Sequence, residues 1–376
     1  MAHGRGAGPR IGGARGGARP LPRPAARRTR CPRRDHRTRP PHRAVALGRP
    51  IGFAHSRISG GQVSPEAIMT DMTSDTTVTT VTASASGTWK LGDRTVHRIG
   101  FGAMRLPQTG PALMPDAVPR DREQALRVLR RAVELGVNHI DTAAFYFSPL
   151  RSANELINRA LAPYADDLVI ATKVGPARGP DGQWTEHART PAGLRAQVEE
   201  NLRQLGRDHL DLVNLRILGT DSIAERFGAL AELQQAGLIR RLGLSNIHPH
   251  QLAEARTIAP VTCVQNPYGI GASAAQDELL RLCGEQGIAF VPFYAIAGDG
   301  RQGGAGATEP AQVQAVAEAR GISTAQVRLA WTLHRGPHVL AIPGTGDVAH
   351  LEDNIAAGAV RLTAEELALL DQAHTG

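Results

Sequence analysis

Lysine is nearly absent from this chain: Lys90 and Lys173 stand against 41 arginines in 376 residues. The three cysteines, Cys31, Cys263 and Cys283, have neither the spacing of metal ligands nor that of a disulfide framework. No apolar run approaches the roughly 20 residues that cross a bilayer. We therefore expect no membrane span, no metal site and a reducing compartment, the cytoplasm.

Positive charge is concentrated in the first part of the chain. The formal net charge is +8, but residues 1–68 contain 15 arginines against the two acidic residues Asp35 and Glu66, so the remainder is net negative. A mildly acidic body argues against a nucleic-acid-binding surface outside the N-terminal segment. An arginine-rich arm that bound nucleic acid would do so with strong salt dependence.

Residues 1–86 are predicted to be a disordered extension, because they are rich in Arg, Pro, Gly and Ala, and later in Thr and Ser, without hydrophobic periodicity. Three interpretations of the arginine-rich part stay open: an arm for nucleic acid or an anionic surface, an organelle transit segment, or upstream sequence ahead of a start at Met69 or Met72. We favour the last. The sequence carries no signal for oligomeric state.

Residues 87–376 are predicted to form one domain. A hairpin of Thr88–Leu91 and Arg94–His97 around a Gly92-Asp93 turn comes first. Strand-like apolar runs and amphipathic helices then alternate through eight units. This alternation indicates an α/β fold with a parallel sheet, and eight units indicate a closed (β/α)₈ TIM barrel. The alternative, a doubly wound open sheet, is disfavoured because no strand leads into a G-x-G-x-x-G turn.

Local signals bound several of these elements. Asp121 is placed to cap a helix, with Gln124 in position to complete a capping box. Further helices are predicted over Pro191–Leu205 and Thr324–His334, and the eighth strand over Val339–Ile342.

Polar side chains follow the predicted strands where a barrel places its active site, at the C-terminal strand ends. Asp141 and Tyr146 follow the second strand, and Lys173 ends the third. An ammonium group at this position would lower the pKa of a neighbouring phenol, and a carboxylate would keep the ammonium charged. Tyr146 could then donate a proton to a carbonyl oxygen while a hydride reaches the carbon.

Five segments carry a resemblance to a known family. In chain order they are G-V-N-H-I-D-T-A-A-F-Y, V-I-A-T-K-V-G, L-I-R-R-L-G-L-S-N, C-V-Q-N and I-P-G-T. From about Gly87 to the C-terminus the chain resembles the aldo-keto reductases, which implies reduction of an aldehyde or ketone with a nicotinamide cofactor. The resemblance implies that Asp141, Tyr146 and Lys173 are catalytic, with Tyr146 as the general acid.

The fourth catalytic position departs from the family pattern. Most members have a histidine at the end of the fourth strand, where the segment D-L-V-N-L-R of this chain has Arg216. Arg216 is predicted to contact substrate or cofactor, since a guanidinium can hydrogen-bond an oxygen although it cannot act as a neutral imidazole. Asn214 points to the same side of the strand and is predicted to contact substrate. The segment resembles a bacterial branch of pyridoxal reductases and pyridoxine dehydrogenases, which implies pyridoxal as a substrate.

The same resemblance assigns the cofactor residues. Ser245, Asn246 and Gln265 would hold the nicotinamide amide, and Phe293 would stack on the ring. The adenosine end would be lined by five residues near the C-terminus: Gly344, Thr345, His350, Asp353 and Asn354. Many members have Lys and Arg in place of Gly344 and His350, where they hold the 2′-phosphate of NADPH. NADPH is therefore expected from the family, NADH stays open, and Arg241 is a candidate replacement cation.

Loops would determine the substrate. Phe147, where the family commonly has glycine, is predicted to narrow the mouth of the pocket, and Trp184 to close over a flat aromatic aldehyde. The glycine-rich segment 298–306 would lie against the pyrophosphate. A second hypothesis is a non-catalytic barrel that binds the nucleotide and reports redox state to a partner. Failure to oxidise the cofactor with any aldehyde would favour that hypothesis.

Overall fold

The computed structural model describes residues 80–185, 189–271, 276–296 and 309–375. The extension predicted to be disordered lies outside these residues up to position 79, as does the glycine-rich segment 298–306. The fold begins before the predicted boundary at Gly87, because Ala83–Ser86 form a 3₁₀ helix. The Ala83 amide donates to the Leu135 carbonyl over 2.8 Å, so this short helix belongs to the barrel domain.

The predicted hairpin is confirmed together with its register. Strand β1 (Thr88–Leu91) pairs antiparallel with β2 (Arg94–His97), and Gly92 opens the turn at φ +69°, in the left-handed region that favours glycine. Leu91 and Val96 are buried in the same apolar cluster as Val169, which lies at the start of a barrel strand. The hairpin therefore covers the N-terminal end of the barrel.

The described residues include a sheet of seven parallel strands. Numbered along the chain, the remaining strands are β3 (Phe101–Gly102), β4 (Gln108–Thr109), β5 (Val118–Pro119), β6 (His139–Asp141), β7 (Phe147–Ser148), β8 (Arg151–Ser152), β9 (Val169–Val174), β10 (Ala177–Arg178), β11 (Trp184–Thr185), β12 (Leu210–Arg216), β13 (Ile239–Ser245), β14 (Cys263–Gln265) and β15 (Ala289–Phe290). The order across the sheet is β15-β14-β13-β12-β9-β6-β3. Strands β4 with β5, β7 with β8 and β10 with β11 form short antiparallel pairs outside it.

The predicted eighth strand, Val339–Ile342, is present as two isolated bridges. Val339 bridges to Phe290 at one edge of the sheet, and Ala341 bridges to Ile99 at the other edge. The two edges therefore meet through this segment, and the sheet closes into a barrel. The pairing is short because Pro343, which follows, has no amide hydrogen to extend it.

The described residues form ten α-helices. Numbered along the chain, they are α1 (Arg122–Glu134), α2 (Ala153–Leu161), α3 (Pro191–Leu205), α4 (Ala224–Gln235), α5 (Pro249–Arg256), α6 (Asp277–Glu285), α7 (Ala311–Arg320), α8 (Thr324–His334), α9 (Val348–Ala356) and α10 (Ala364–Thr375). The predicted bounds of α3 and α8 agree with the structure at both ends. Each has a hydroxyl N-cap, Thr190 for α3 and Ser323 for α8, which accepts from a backbone amide of the first turn.

Helix α1 forms only half of its predicted capping box. Asp121 accepts from the Gln124 amide over 2.8 Å, as expected. The Gln124 side chain, however, donates to the Gly346 carbonyl over 3.3 Å. A tertiary partner thus replaces the local one, and α1 is tied to the loop before α9.

Apolar side chains fill two layers of the barrel. The larger cluster lies between sheet and helices and includes Phe227 and Trp331. The smaller cluster fills the barrel interior next to the hairpin and includes Leu212 and Val291. Asp141, Lys173 and Gln265 are buried polar side chains at the C-terminal strand ends, which locates the candidate site. Within the described residues, no helix is long and apolar enough to cross a membrane.

Candidate active site

Asp141 and Lys173 form a buried ion pair near the C-terminal ends of β6 and β9. Lys173 Nζ lies 2.5 Å from Asp141 Oδ1 and 3.1 Å from the Thr142 carbonyl oxygen. The side chain of Asp141 is only 7% exposed and that of Lys173 only 3%. Burial lowers the pKa of Lys173, but Asp141 and Tyr146 outweigh this effect, and the net pKa is raised. Lys173 is therefore a charged ammonium group near neutral pH.

The second oxygen of Asp141 accepts a hydrogen bond from Gln265, with 2.9 Å between Nε2 and Oδ2. This orientation leaves Gln265 Oε1 without a partner among the described residues, although the atom is buried. A buried acceptor without a hydrogen bond costs roughly 1–3 kcal/mol. Gln265 is thus placed to accept a hydrogen bond from a bound ligand.

Tyr146 lies in the turn after β6, and Lys173 Nζ is 4.9 Å from the centroid of its ring. Burial raises the pKa of Tyr146, and the positive charges of Lys173 and Arg216 only reduce this rise. Lys173 lowers the pKa as predicted, but burial outweighs this effect, so the net pKa lies above its ordinary value. The phenol stays protonated near neutral pH, and this is the form that can donate a proton.

Arg216 ends β12, directly opposite Ser245 of β13. Its Nη1 atom donates to Ser245 Oγ over 3.3 Å, and its Cζ atom lies 5.1 Å from the centroid of the Phe293 ring. No carboxylate in the described part of the chain forms an ion pair with Arg216. The guanidinium is therefore held by neutral and cation–π contacts, and its charge is available to a ligand.

These side chains border one cavity, called here the central cavity, with a volume of about 240 Å³. Usual ligand pockets measure about 300–1,000 Å³, so the central cavity is comparable to a small ligand pocket. Eight predicted site residues line the cavity: Asp141, Tyr146, Lys173, Trp184, Arg216, Gln265, Phe293 and Gly344. Of the eleven other lining residues, sequence reasoning assigned no site role to Met104, Arg105, Leu113 and Phe145. Of these four, only Phe145 could have been indicated by the sequence, through its position beside Tyr146.

Trp184 is half exposed at the rim of the central cavity (52%). Its ring centroid lies 5.7 Å from that of Phe145, and Phe145 in turn makes an edge contact with Tyr146 at 5.1 Å. Three aromatic rings thus lead from the rim to the phenol. A flat aromatic ligand could pack along them.

The two other predicted substrate residues lie elsewhere. Asn214 is buried inside the barrel, where its Oδ1 atom accepts from Cys263 Sγ over 3.1 Å. Phe147 packs against the Arg178 guanidinium, with Cζ 4.4 Å from the ring centroid. Neither residue lines the central cavity, so the structure does not support a substrate contact for either. Alternation along a strand predicts which face of the sheet a side chain lies on, but not whether it is close enough to the strand end to reach the cavity.

Ser245 and Asn246 lie beside the central cavity rather than in its lining. Ser245 is buried and accepts from Arg216. Asn246 has a left-handed backbone (φ +60°), and its side chain donates to the Ile217 carbonyl over 3.0 Å. Its backbone amide donates to the Gln265 carbonyl over 2.9 Å. The two residues therefore hold the ends of β12, β13 and β14 together.

The predicted adenosine end is formed by the loop before α9 and by α9 itself. Thr345 Oγ1 accepts from the Asp347 amide, and the Asp347 side chain accepts from the His350 amide, each over 3.1 Å. The side chain of His350 is exposed, whereas Asn354 is buried. Asp347 is thus the N-cap of α9, and its carboxylate stabilises the N-terminus of this helix.

Gly344 and Asp353 have structural roles of their own. A Cβ atom at position 344 would lie 2.6 Å from the Gly102 carbonyl oxygen, so the barrel closure itself requires glycine there. Asp353 Oδ2 accepts from Ser323 Oγ over 2.6 Å, which joins α9 to the start of α8. The carboxylate of Asp353 is therefore engaged within the protein.

The predicted replacement cation is not at this end of the barrel. Arg241 pairs with Asp93 in the hairpin turn, at the N-terminal end, so that prediction is wrong. Two other arginines lie on the correct side: Arg105 lines the central cavity, and Arg120 donates to the Gly346 carbonyl over 3.2 Å. In the described ranges no three His, Cys, Asp or Glu side chains are grouped to hold a metal ion.

The chain is similar in sequence and in structure to known proteins. The sequence model described as the aldo/keto reductase family matches residues 98–375. Over 294 residues the chain is 45% identical to pyridoxine 4-dehydrogenase of Escherichia coli (strain K12), covering 76% of this chain and 98% of that protein. It is 32% identical to a methylglyoxal reductase of the same organism over 280 residues, which is 73% of this chain and 93% of that one. The crystal structure of an aldo-keto reductase from Klebsiella pneumoniae in complex with NADPH has a TM-score of 0.62 and 29% identity, covering 74% and 92% of the two chains.

Proposed function

The chain belongs to the aldo/keto reductase family, and we propose that it reduces pyridoxal with NADPH, with Tyr146 as the proton donor. Membership makes it an oxidoreductase that acts on small aldehydes or ketones. The observation that carries the proposal is the buried Tyr146 phenol beside the Lys173–Asp141 pair, in a cavity with room for a flat aldehyde. The similarity to pyridoxine 4-dehydrogenase supports an aldehyde on a pyridine ring as substrate.

The residues of the central cavity fit a nicotinamide cofactor. Gln265 Oε1 is a buried acceptor that lacks a partner among the described residues, and the amide N–H of nicotinamide would supply one. Phe293 lines the same cavity and is available to stack on the ring. When bound, NADPH supplies the hydride that reduces the carbonyl carbon. Arg105 and Arg120 are the cations beside the predicted adenosine end that would favour NADPH over NADH.

Tyr146 donates the proton to the carbonyl oxygen. Its raised pKa keeps the phenol protonated until that oxygen gains negative charge. Lys173 then stabilises the phenolate that is left, because its ammonium lies 4.9 Å from the ring centroid and Asp141 keeps it charged. The ion pair therefore acts mainly on the transition state and much less on the resting phenol.

Arg216 replaces the family histidine as a fixed hydrogen-bond donor. Ser245 and Phe293 hold the guanidinium from two sides, and its remaining N–H groups can orient and polarise an oxygen of the substrate. Because a guanidinium does not release its proton near neutral pH, proton transfer depends on Tyr146 alone.

The thiols of the described chain suit a reducing compartment such as the cytoplasm. Cys263 and Cys283 are both free and buried, and burial raises the pKa of each. Neither thiol is therefore a reactive thiolate.

Turnover of pyridoxal tests the proposal. The purified full chain would be mixed with pyridoxal and either NADPH or NADH, and the reduced-nicotinamide absorbance would be followed. We expect oxidation of NADPH in preference to NADH, with pyridoxine as the product, and loss of turnover in Tyr146→Phe. Tyr164→Phe is the matched control, since its hydroxyl donates to the Leu205 carbonyl and does not line the central cavity. Tight nucleotide binding without oxidation by any aldehyde of a panel would favour the non-catalytic hypothesis instead.

A further inference from the structure

A second, smaller pocket lies beside the central cavity and is lined by three arginines. It is lined by Arg189, Arg216 and Arg226 together with Gly175, Thr185 and Leu218. This arginine pocket has a volume of about 30 Å³, and no carboxylate of the described residues is part of its lining. Arg216 and Arg226 hydrogen-bond only to neutral groups among the described residues, so their charges favour a negatively charged occupant.

Arg216 belongs to both cavities, since it lines the central cavity as well as the arginine pocket. Its one hydrogen bond within the described residues goes to the neutral Ser245 hydroxyl, whereas a guanidinium carries five N–H groups. A molecule with its aldehyde near Tyr146 could therefore place a second group against Arg216 from the side of the arginine pocket. Among the described residues, Arg216 is the one that lines both cavities.

Arg226 lies in the first turn of α4 and also has donors to spare. Its Nη2 atom donates to the Ser222 carbonyl over 3.3 Å, which is a weak neutral contact. The positive charge of Arg226 helps to lower the pKa of Glu254, but the Glu254 carboxylate accepts its hydrogen bonds from the Ser222 hydroxyl and the Ile223 amide. No ion pair within the described ranges therefore neutralises Arg226.

We propose that the arginine pocket binds an oxyanion, a phosphate or carboxylate group carried by the aldehyde substrate, so that the enzyme prefers anionic aldehydes to neutral ones. The inference rests on the proposed function, because it assigns part of the same substrate. Guanidinium groups bind phosphate and carboxylate oxygens by charge-assisted hydrogen bonds, often two at a time. Arg216 and Arg226 hold the anion, and the aldehyde end reaches the central cavity.

Matched pairs of aldehydes test this assignment. Each pair differs in one charged group: pyridoxal against pyridoxal 5′-phosphate, and benzaldehyde against 4-carboxybenzaldehyde. We expect wild-type kcat/KM to be at least about tenfold higher for the anionic member of a pair, and the pair with the larger ratio identifies phosphate or carboxylate as the preferred group. In Arg226→Gln that ratio should fall about tenfold through a higher KM of the anionic aldehyde, the size expected for one lost charged hydrogen bond.

Arg130→Gln is the control, because Arg130 is exposed on α1 and lines neither cavity, while the change in net charge is the same. It should keep the wild-type ratio. A ratio that is the same in Arg226→Gln as in the wild type, or no preference for the anionic member of either pair, would overturn the proposal.

A binding measurement separates this inference from the proposed function. Inorganic phosphate should raise the midpoint temperature of thermal unfolding of the wild-type chain more than chloride does at equal ionic strength, and this difference should shrink in Arg226→Gln. If the wild type failed to oxidise NADPH with every aldehyde tested, the proposed function would be wrong. A phosphate-induced rise in the unfolding temperature that is lost in Arg226→Gln would still support the pocket. An equal phosphate effect in both chains would contradict it.

Discussion

Two buried polar side chains at opposite ends of strand β6 have opposite surroundings. His139 and Asp141 lie two residues apart on β6, and both are buried. Neither ring nitrogen of His139 has a partner among the described residues, and burial, followed by the charge of His97, lowers its pKa to about 4. Asp141 instead accepts hydrogen bonds from both Lys173 and Gln265.

The difference follows from what each end of the barrel offers. The hairpin covers the N-terminal end with apolar side chains such as Leu91 and Val96, so His139 lacks a hydrogen-bond partner among the described residues and is neutral near pH 7. The C-terminal end brings together side chains from several strands, so Asp141 and Lys173 can be buried as charges. Residues of the covered end should therefore affect stability, whereas residues of the open end should affect catalysis.

Replacing Lys173 by Met should have the largest effect. The phenolate of Tyr146 would lose its stabilising charge, so we expect kcat/KM for pyridoxal to fall by about 10²–10⁴. Asp141 would also become a buried carboxylate without a counter-charge, which should lower the free energy of unfolding by about 3–5 kcal/mol. Steady-state kinetics and urea denaturation measure the two effects.

The double variant Asp141→Asn/Lys173→Met separates them. It should recover most of the lost stability, because the unpaired charge is gone, and none of the lost activity. Recovery of activity in the double variant would mean that Lys173 acts only by satisfying Asp141.

His139→Leu should change the pH dependence of stability and leave activity at pH 7 intact. The pKa of His139 is about 4 in the folded chain and about 6.5 in an unfolded one, so between these values the unfolded chain binds the extra proton. Wild-type stability should therefore be full above pH 6.5 and decline as the pH falls toward 4, with His139 accounting for roughly 3 kcal/mol of the loss. Urea denaturation at pH 7 and pH 4.5 measures this.

The leucine variant should lose less stability than the wild type between those two pH values. His250→Gln, at an exposed histidine, should behave as the wild type does. Identical pH dependence in all three chains would show that His139 is not held neutral by the covered end of the barrel.

Arg216→Gln should have a smaller effect, about tenfold on kcat/KM for pyridoxal, because the amide keeps one donor but loses the charge. Its free energy of unfolding should change little, since among the described residues the guanidinium hydrogen-bonds only to the neutral Ser245 hydroxyl. Kinetics and urea denaturation of the same preparation check both points. A large loss of stability with unchanged kinetics would place Arg216 among the structural residues.

Trp184→Ala should have the smallest effect, about a 2–10-fold rise in KM for pyridoxal with little change in kcat, as expected for one lost aromatic contact at the rim. Trp184→Phe is the matched variant and should recover most of the affinity. An alanine variant with the KM of the wild type would remove Trp184 from the substrate pocket.

The fold was largely predictable because its signals are local. Hydroxyl residues before Pro191 and Thr324 mark the starts of α3 and α8, and the eightfold alternation indicates the barrel. The eighth strand shows where this reasoning ends, since Val339–Ile342 makes only two bridges. Hydrogen-bond partners from other parts of the chain, such as Gly346 for Gln124, carry no local signal.

The candidate site was predictable where the barrel itself determines position. Asp141, Tyr146 and Lys173 meet because parallel strands end at the same rim. Which of the two phenylalanines beside Tyr146 lines the cavity could not be predicted, since a turn has no fixed periodicity; Phe145 lines it and Phe147 does not. The direction of the pKa shift of Tyr146 also required the structure, because it depends on burial as much as on the charge of Lys173.

The most direct test of the account is a single-turnover measurement with NADPH already bound. The rate of NADPH oxidation after mixing with pyridoxal would be compared in the wild type, Tyr146→Phe and Tyr164→Phe, together with the Kd for NADPH of each chain. We predict that Tyr146→Phe binds NADPH as the wild type does but transfers hydride at least about 100-fold more slowly, while Tyr164→Phe reacts normally. Transfer at the wild-type rate in Tyr146→Phe would contradict the assignment of Tyr146 as the proton donor.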